Sequence, residues 1–148
     1  MRGKGLTLIN VLFPLAGIGL MVFYEACDTS CAYLQGTFAG VDLKVVGVVF
    51  MAALLALIPF SSSRFSIPAG HLRTMMLAGA LGGETLLVRF QIVHEQFCPF
   101  CLAFGVCVVC LFAANFSRMN KLLVGIAFLA GIGAFLLFFK GSVIPLYT

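Results

Sequence analysis

The sequence predicts an all-α integral membrane protein, folded over residues 1–148 as one bundle of five transmembrane helices. Of its residues, 62% are hydrophobic and only 9% are charged, and the mean hydropathy is +1.16. This composition is typical of chains that cross a bilayer several times. The length allows one domain of four or five spans and leaves no room for a separate soluble domain. The net charge of +4 does not indicate nucleic-acid binding, because the basic residues are scattered between apolar runs.

Five apolar runs have the length of about 17–25 residues that crossing the hydrocarbon core requires. They are separated by a long loop (Glu25–Leu43), a polar connector (Ser61–Thr74) and two short turns (His94–Phe97 and Ser117–Asn120). In chain order the predicted spans are Leu6–Tyr24, Lys44–Phe60, Met75–Val93, Cys98–Phe116 and Lys121–Phe139.

The positions of Lys and Arg predict the orientation of the bundle. If the N-terminus is cytoplasmic, most basic residues fall on the cytoplasmic side, as the positive-inside rule requires. They are Arg2, Lys4, Arg64, Arg73, Arg118 and Lys121. The outer side then holds four acidic residues together with Lys44 and Lys140; the four are Glu25, Asp28, Asp42 and Glu95. We expect the first run to stay in place as a span, since it is longer than a signal-peptide core and lacks a small-x-small cleavage site.

The motif Cys98-Pro99-Phe100-Cys101 opens the fourth run directly after a short polar turn. Two thiols three residues apart lie on one face of a helical turn and can form a disulfide. Proline suits the first helical position, which places Cys98 at the N-cap. There the unpaired N–H groups and the helix dipole favour the thiolate. A redox-active CxxC at the end of a membrane helix indicates electron exchange between thiols and a compound dissolved in the bilayer.

A second cysteine pair, Cys27 and Cys31, lies in the long loop. The predicted topology puts it on the same outer face as Cys98 and Cys101, in a compartment where disulfides persist. One interpretation is a structural disulfide that fastens the loop. The other is a relay, because thiol–disulfide exchange needs a thiolate beside an accessible disulfide.

The third pair, Cys107 and Cys110, repeats the CxxC spacing inside the fourth run, about 14 Å below Cys98 at the rise of an α-helix. Cysteine buried in apolar surroundings usually behaves as a small hydrophobic residue. An auxiliary redox role or a soft-metal role stays open. All three pairs together also suit a carrier of mercuric or cuprous ions, because thiolates are ligands for soft metals.

Two ionisable residues in the third run, Glu84 and Arg89, are the remaining unusual feature. They are five positions apart and do not share a helix face, so each needs a partner elsewhere. Glu84 and Gln91 share one helix face, and ionisable groups inside spans are costly and often functional. The pair predicts either a hydrogen bond to a neighbouring helix or a proton path through the membrane domain.

The element Cys98-Pro99-Phe100-Cys101-Leu102, with the loop pair Cys27 and Cys31 followed by Gly36–Gly47, resembles the vitamin K epoxide reductase family. The resemblance covers about residues 6–116 and implies a four-helix core. The fifth run, 121–139, lies outside it as an extra C-terminal helix. There Gly131 and Gly133 permit close approach to another helix.

The resemblance implies a membrane thiol–disulfide oxidoreductase of the bacterial inner membrane, with its reactive cysteines on the periplasmic side. Cys27 and Cys31 would be the shuttle pair, which exchanges with a separate thioredoxin-like periplasmic protein. Cys31 would then bridge to Cys98, and Cys101 would pass electrons to a membrane quinone, either ubiquinone or menaquinone. No resident metal is expected.

Candidate quinone contacts come from two sources. By resemblance, Thr37 stands where the family often has a Ser or Thr near the quinone head-group. Phe97, Phe100 and Phe104 flank the CxxC motif and supply aromatic area for an apolar pocket. Lipid-facing or packing roles for these three rings stay open, since the chain has 16 Phe.

Overall fold

A computed structural model describes residues 2–26, 34–62 and 66–143. Within them the chain forms five α-helices and three short strands. Four of the helices have the length and hydropathy of membrane spans, and the second is a shorter apolar helix of 14 residues. The chain is therefore an all-α membrane protein in its main body. The helices are α1 (Arg2–Ala26), α2 (Leu43–Ala56), α3 (Ser66–Val93), α4 (Pro99–Asn115) and α5 (Lys121–Phe138).

Helix α2 is shorter than the predicted run Lys44–Phe60. Its N-terminus is capped by Asp42, whose carboxylate accepts a hydrogen bond of 3.0 Å from the backbone N–H of Lys44, as aspartate does at N-caps. The helix ends at Ala56, because Pro59 disfavours the helical conformation in the residue before it. A single 3₁₀ turn follows. At about 1.5 Å per residue, α2 is about 21 Å long.

Helix α3 begins nine residues earlier than predicted, at Ser66 instead of Met75. Pro68 lies in its first turn, where a missing N–H costs no hydrogen bond. The hydroxyl of Thr74 donates to the carbonyl of Gly70 at 2.9 Å, which satisfies this polar side chain within the helix. The predicted connector is therefore helical over most of its length.

A three-stranded antiparallel sheet, which the sequence did not predict, covers one end of the bundle. It consists of β1 (Leu34–Phe38), β2 (Val41–Asp42) and β3 (Phe139–Val143), in the order β2-β1-β3. Ala39 and Gly40 join β1 to β2 with φ angles of +52° and +83°. Positive φ at both central residues is the requirement of a tight hairpin turn, and glycine meets it without strain.

The helices pack so that α1 contacts α2 and α4, while α3 contacts α4 and α5. Two buried amides, Asn10 on α1 and Asn115 on α4, exchange hydrogen bonds of 3.3 and 2.8 Å. Such polar pairs hold helices together where no water competes. The buried core between the helices consists of Met21, Met51, Leu54, Leu77, Phe104, Cys107, Val108, Leu111 and Met119.

Helices α3 and α5 cross closely at glycines. A Cβ on Gly131 of α5 would collide with the backbone of Gly79, whose Cα would lie 2.8 Å away. A Cβ on Gly82 would collide with the carbonyl of Phe128. Gly133 has open space around it. Of the two glycines noted in the sequence, Gly131 therefore makes the close approach.

One end of the bundle gathers the ends of α1, α3 and α5 and the beginnings of α2 and α4. We call it the cysteine end. Glu25, at the end of α1, pairs with Lys44 at the start of α2. The rings of Phe23 and Tyr24 lie 5.9 and 5.6 Å from the ring of Phe100 on α4. The sheet lies at the same end, because β2 leads directly into α2 and β3 continues from α5.

Candidate functional site

The turn between α3 and α4 holds Cys98 in place. Glu95 has φ of +52°, and the N–H groups of Glu95 and Gln96 bond to the carbonyls of Ile92 and Gln91 at 3.3 and 3.1 Å. This is the double hydrogen bond that commonly ends a helix. The side chain of Gln91, which is only 2% exposed, also accepts a hydrogen bond of 3.0 Å from the N–H of Cys98.

Cys98 caps α4, as the sequence predicts. Its sulfur accepts from the N–H of Cys101 at 3.4 Å, and Pro99 occupies the first turn of the helix. The Cys98 side chain is buried, whereas Cys101 is half-buried. Cys101 lines a cavity that lies among the helices. The two cysteines of the motif are therefore placed differently, one inside the turn and one on the cavity wall.

The cavity has a volume of about 640 Å³, within the range of about 300–1,000 Å³ that is usual for sites of small organic ligands. All five helices contribute to its walls, and the sheet covers part of it. Most of the lining is apolar. The apolar side chains are Met21, Phe38, Leu43, Val46, Phe50, Met75, Met76, Ala80, Leu87, Phe90, Phe104, Ala134, Phe135 and Phe139.

Three of the five residues predicted to contact a quinone share this cavity: Cys101, Thr37 and Phe104. The other two are not among the described residues that line it. Phe97 is 60% exposed, and Phe100 packs between Phe23 and Tyr24 of α1. Cys101 and Phe104, three residues apart on one helix face, both line the cavity, whereas the ring of Phe100 packs against α1.

Charged groups lie where the cavity reaches the cysteine end. Lys44 pairs with Glu25 and lies 3.6 Å from a carboxylate oxygen of Asp42. Its ammonium group also stands 5.2 Å from the centre of the Tyr24 ring, within the range of a cation–π contact. All four residues line the cavity. The cavity is thus polar at the cysteine end and mainly apolar elsewhere.

Glu84 of α3 lines the apolar part of the cavity. A Cβ at Gly105 of α4 would lie 2.9 Å from an Oε atom of Glu84, so the carboxyl group occupies the space that this glycine leaves. Gln91 lines the same cavity. The helix face shared by Glu84 and Gln91 was visible in the sequence, but the fit against Gly105 needs the packing of α3 on α4.

Helix α5 also forms part of the site, a contribution that sequence reasoning missed. Gly131, Ala134 and Phe135 of α5 and Phe139 of β3 line the cavity. A run of apolar residues with two glycines gives no chemical signal. The sequence offered one indirect signal: a cavity inside a four-helix core needs a further helix to close it on one side.

Cys107 and Cys110 have free thiols and are not among the described residues that line the cavity. Cys107 belongs to the buried core, as expected for a small hydrophobic side chain. Cys110 is half-buried. Within the described part of the chain, no three His, Cys, Asp or Glu side chains are grouped so that they could hold a metal ion.

The predicted shuttle cysteines, Cys27 and Cys31, lie outside the described residues. The chain on either side of them is described. Ala26 is the last residue of α1, and Leu34 is the first residue of β1. Both flanks lie at the cysteine end, the end of the bundle that carries Cys98 and Cys101.

No protein-family model, no curated protein and no solved structure matches this chain.

Proposed function

We propose that this chain is a quinone-dependent thiol oxidase that crosses the bacterial inner membrane five times, with the cysteine end in the periplasm. Its shuttle cysteines would oxidise a separate thioredoxin-like protein and pass the electrons through the CPFC motif to a quinone. The observation that carries the proposal is the position of Cys101, which is a wall residue of a large, mainly apolar cavity next to a helix-capping Cys98.

The cavity fits a quinone ring. Its volume of about 640 Å³ is sufficient for a ring with part of an isoprenoid tail. Phe38, Phe50, Phe104 and Phe135 offer apolar contact. The Thr37 hydroxyl, which donates to the carbonyl of Lys140 at 3.5 Å, is on the wall near the cysteine end. A quinone would supply a two-electron, two-proton acceptor at this position.

The chain's own residues would act in sequence. The start of α4 favours the thiolate of Cys98, since unpaired N–H groups and the helix dipole stabilise negative charge there. Forming the Cys98–Cys101 disulfide releases two electrons and two protons, which reduction of a quinone to a hydroquinone takes up. Cys31 then attacks Cys98, which breaks the Cys98–Cys101 bond, frees Cys101 and leaves a Cys31–Cys98 mixed disulfide. Attack of Cys27 on Cys31 releases Cys98 and regenerates the dithiol of the motif. The resulting Cys27–Cys31 disulfide oxidises two thiols of the partner protein.

The five-span topology is part of the proposal. The distribution of Lys and Arg supports a cytoplasmic N-terminus. Helix α2 would complete its crossing with the 3₁₀ turn Pro59–Ser62, because its own length of about 21 Å is short of the hydrocarbon core of about 30 Å. Membership of the vitamin K epoxide reductase family is likewise proposed, on the motif and the order of its helices.

The proposal is tested by thiol oxidation with purified protein in detergent, using dithiothreitol as the reductant and a short-chain ubiquinone as the acceptor. The loss of quinone absorbance gives the rate. We expect Cys101→Ala to reduce the rate to background. Cys110→Ala is the matched control, because Cys110 is also a half-buried thiol of α4, and its rate should equal the wild type. Full activity in Cys101→Ala would exclude this mechanism.

A further inference from the structure

Glu84 is an acidic residue that takes no part in the thiol exchange proposed above. It lies in the interior of α3, a helix of 28 residues, and on the wall of the cavity. In the part of the chain that the structure describes, no hydrogen bond and no ion pair satisfies its carboxyl group. An unpaired ionisable group inside a span is costly to keep, so its presence on a ligand cavity calls for a role.

The surroundings of Glu84 differ from those of the other ionisable groups on the cavity wall, which are Tyr24, Glu25, Asp42, Lys44 and Cys101. Lys44 is engaged by Glu25 and Asp42 at the cysteine end. Glu84 lies seven residues before Gln91, the residue that bonds to Cys98, and so about 10 Å deeper along α3. Neither α3 nor α5 adds another ionisable group to the lining.

Gly105 gives the carboxyl group its position. It stands on α4 four residues after Cys101, so both residues lie on one face of that helix, a turn apart. Because Gly105 has no side chain, the Glu84 carboxyl lies directly against α4; an added Cβ would be 2.9 Å from its oxygen. A ring in contact with Cys101 would therefore meet Glu84 on its deeper side.

We infer that Glu84 is the proton donor of the quinone site, an inference that rests on the proposed function. In its carboxylic acid form, Glu84 donates its proton to the deeper carbonyl oxygen of the ring as that oxygen gains electrons from the thiols. The resulting carboxylate recovers one of the two protons that Cys98 and Cys101 release when they form their disulfide. The other thiol proton goes to the second ring oxygen, so that dithiol and quinone give disulfide and hydroquinone without a further reactant.

The first test measures the chemical reactivity of the Glu84 carboxyl group and does not depend on enzyme turnover. Dicyclohexylcarbodiimide modifies protonated carboxyls in apolar surroundings, and peptide mass mapping identifies the residue. We expect modification of Glu84 and protection by a short-chain ubiquinone at saturating concentration. Glu95, which is exposed, is the internal control and should stay unmodified. Absence of modification at Glu84, or modification that quinone does not reduce, would overturn the inference.

The second test separates proton donation from binding. Glu84→Gln keeps the size and hydrogen-bonding capacity of the side chain but cannot donate an acidic proton. We expect kcat to fall about 100-fold or more, the usual contribution of general acid catalysis, while KM for quinone changes less than about threefold. An unchanged kcat would contradict the assignment.

Gly105→Ala, which displaces the carboxyl group of Glu84, should also lower kcat. Gly133→Ala is the control, because its Cβ meets open space.

The two proposals fail in different ways. If Cys101→Ala abolishes thiol oxidation while Glu84→Gln keeps the wild-type kcat, the thiol oxidase stands and the role of Glu84 is wrong. If the wild type does not oxidise thiols with quinone, the proposed function is wrong. The protection of Glu84 from carbodiimide then still reports whether quinone occupies the cavity.

Discussion

The two cysteines of the CPFC motif differ in access, although only two residues separate them. Cys98 is buried, and its sulfur caps the N-terminus of α4. Cys101 is part of the cavity wall. The proposed function requires a loop thiol to reach Cys98 and a lipid-soluble acceptor to reach Cys101. Of these two contacts, the described residues provide the second, because Cys101 lies on the wall of the cavity.

At the residue scale, Phe104 is the aromatic contact that is best tested. We predict that Phe104→Leu raises KM for a short-chain ubiquinone about 2- to 10-fold, because an aromatic contact is worth about 0.5–1.5 kcal/mol beyond its buried area. Phe97→Leu is the control, since Phe97 is 60% exposed, and its KM should match the wild type. Steady-state kinetics measure both. Equal KM values for Phe104→Leu and wild type would remove this residue from the site.

Sequence reasoning worked at this scale where the cause is local. The cap at Cys98 and the place of Pro99 follow from chemistry within a single turn. The side chains of Phe97 and Phe100 could not be placed in the same way. One precedes the helix and is exposed, and the other faces α1. The contact between Glu84 and the gap at Gly105 joins two helices, so no local pattern reveals it.

At the scale of elements, the crossing of α3 and α5 determines the shape of the cavity. We predict that Gly131→Ala lowers the free energy of unfolding by about 1–3 kcal/mol, the usual cost of overpacking, because the new Cβ meets the backbone of Gly79. It should also raise KM for quinone, since Gly131 lines the cavity. Thermal unfolding in detergent micelles, followed by circular dichroism, measures the first effect.

Gly133→Ala provides the matched control, two positions away on the same helix and with no atom near its added Cβ. Its stability should equal that of the wild type or exceed it by up to about 1 kcal/mol, because alanine favours a helix more than glycine does. If both variants lose stability equally, the loss does not come from the close crossing of α3 and α5, and this prediction is wrong.

The elements that the sequence predicted best are those with long apolar runs. The predicted α4 and α5 agree with the structure within a residue or two at each end. The start of α3 was misplaced because a polar helical turn outside the apolar run has no hydropathy signal. The sheet was missed because β1 pairs with β3, and strands about 100 residues apart in the chain leave no local pattern of pairing.

At the scale of the whole molecule, function depends on which groups share one end of the bundle. The ion pair of Glu25 with Lys44, the ring contacts of Phe100, and the pairing of β1 with β3 bring the loop, the CPFC turn and the C-terminal strand together. The cavity opens inward from this end and has walls from all five helices. The topology predicted from Lys and Arg already implies that these groups share one end of the bundle. The cavity could not be predicted from the sequence, because its walls form only when the helices pack together.

The most direct test follows the thiols in a single turnover. The protein, with Cys27 and Cys31 replaced by alanine, is reduced, freed of reductant under anaerobic conditions, and mixed with short-chain ubiquinone. N-ethylmaleimide then traps the remaining thiols for mass mapping. We predict a Cys98–Cys101 disulfide and one hydroquinone per disulfide, with Cys107 and Cys110 alkylated. Alkylation of all four cysteines, with no hydroquinone formed, would contradict electron transfer from this motif to a quinone.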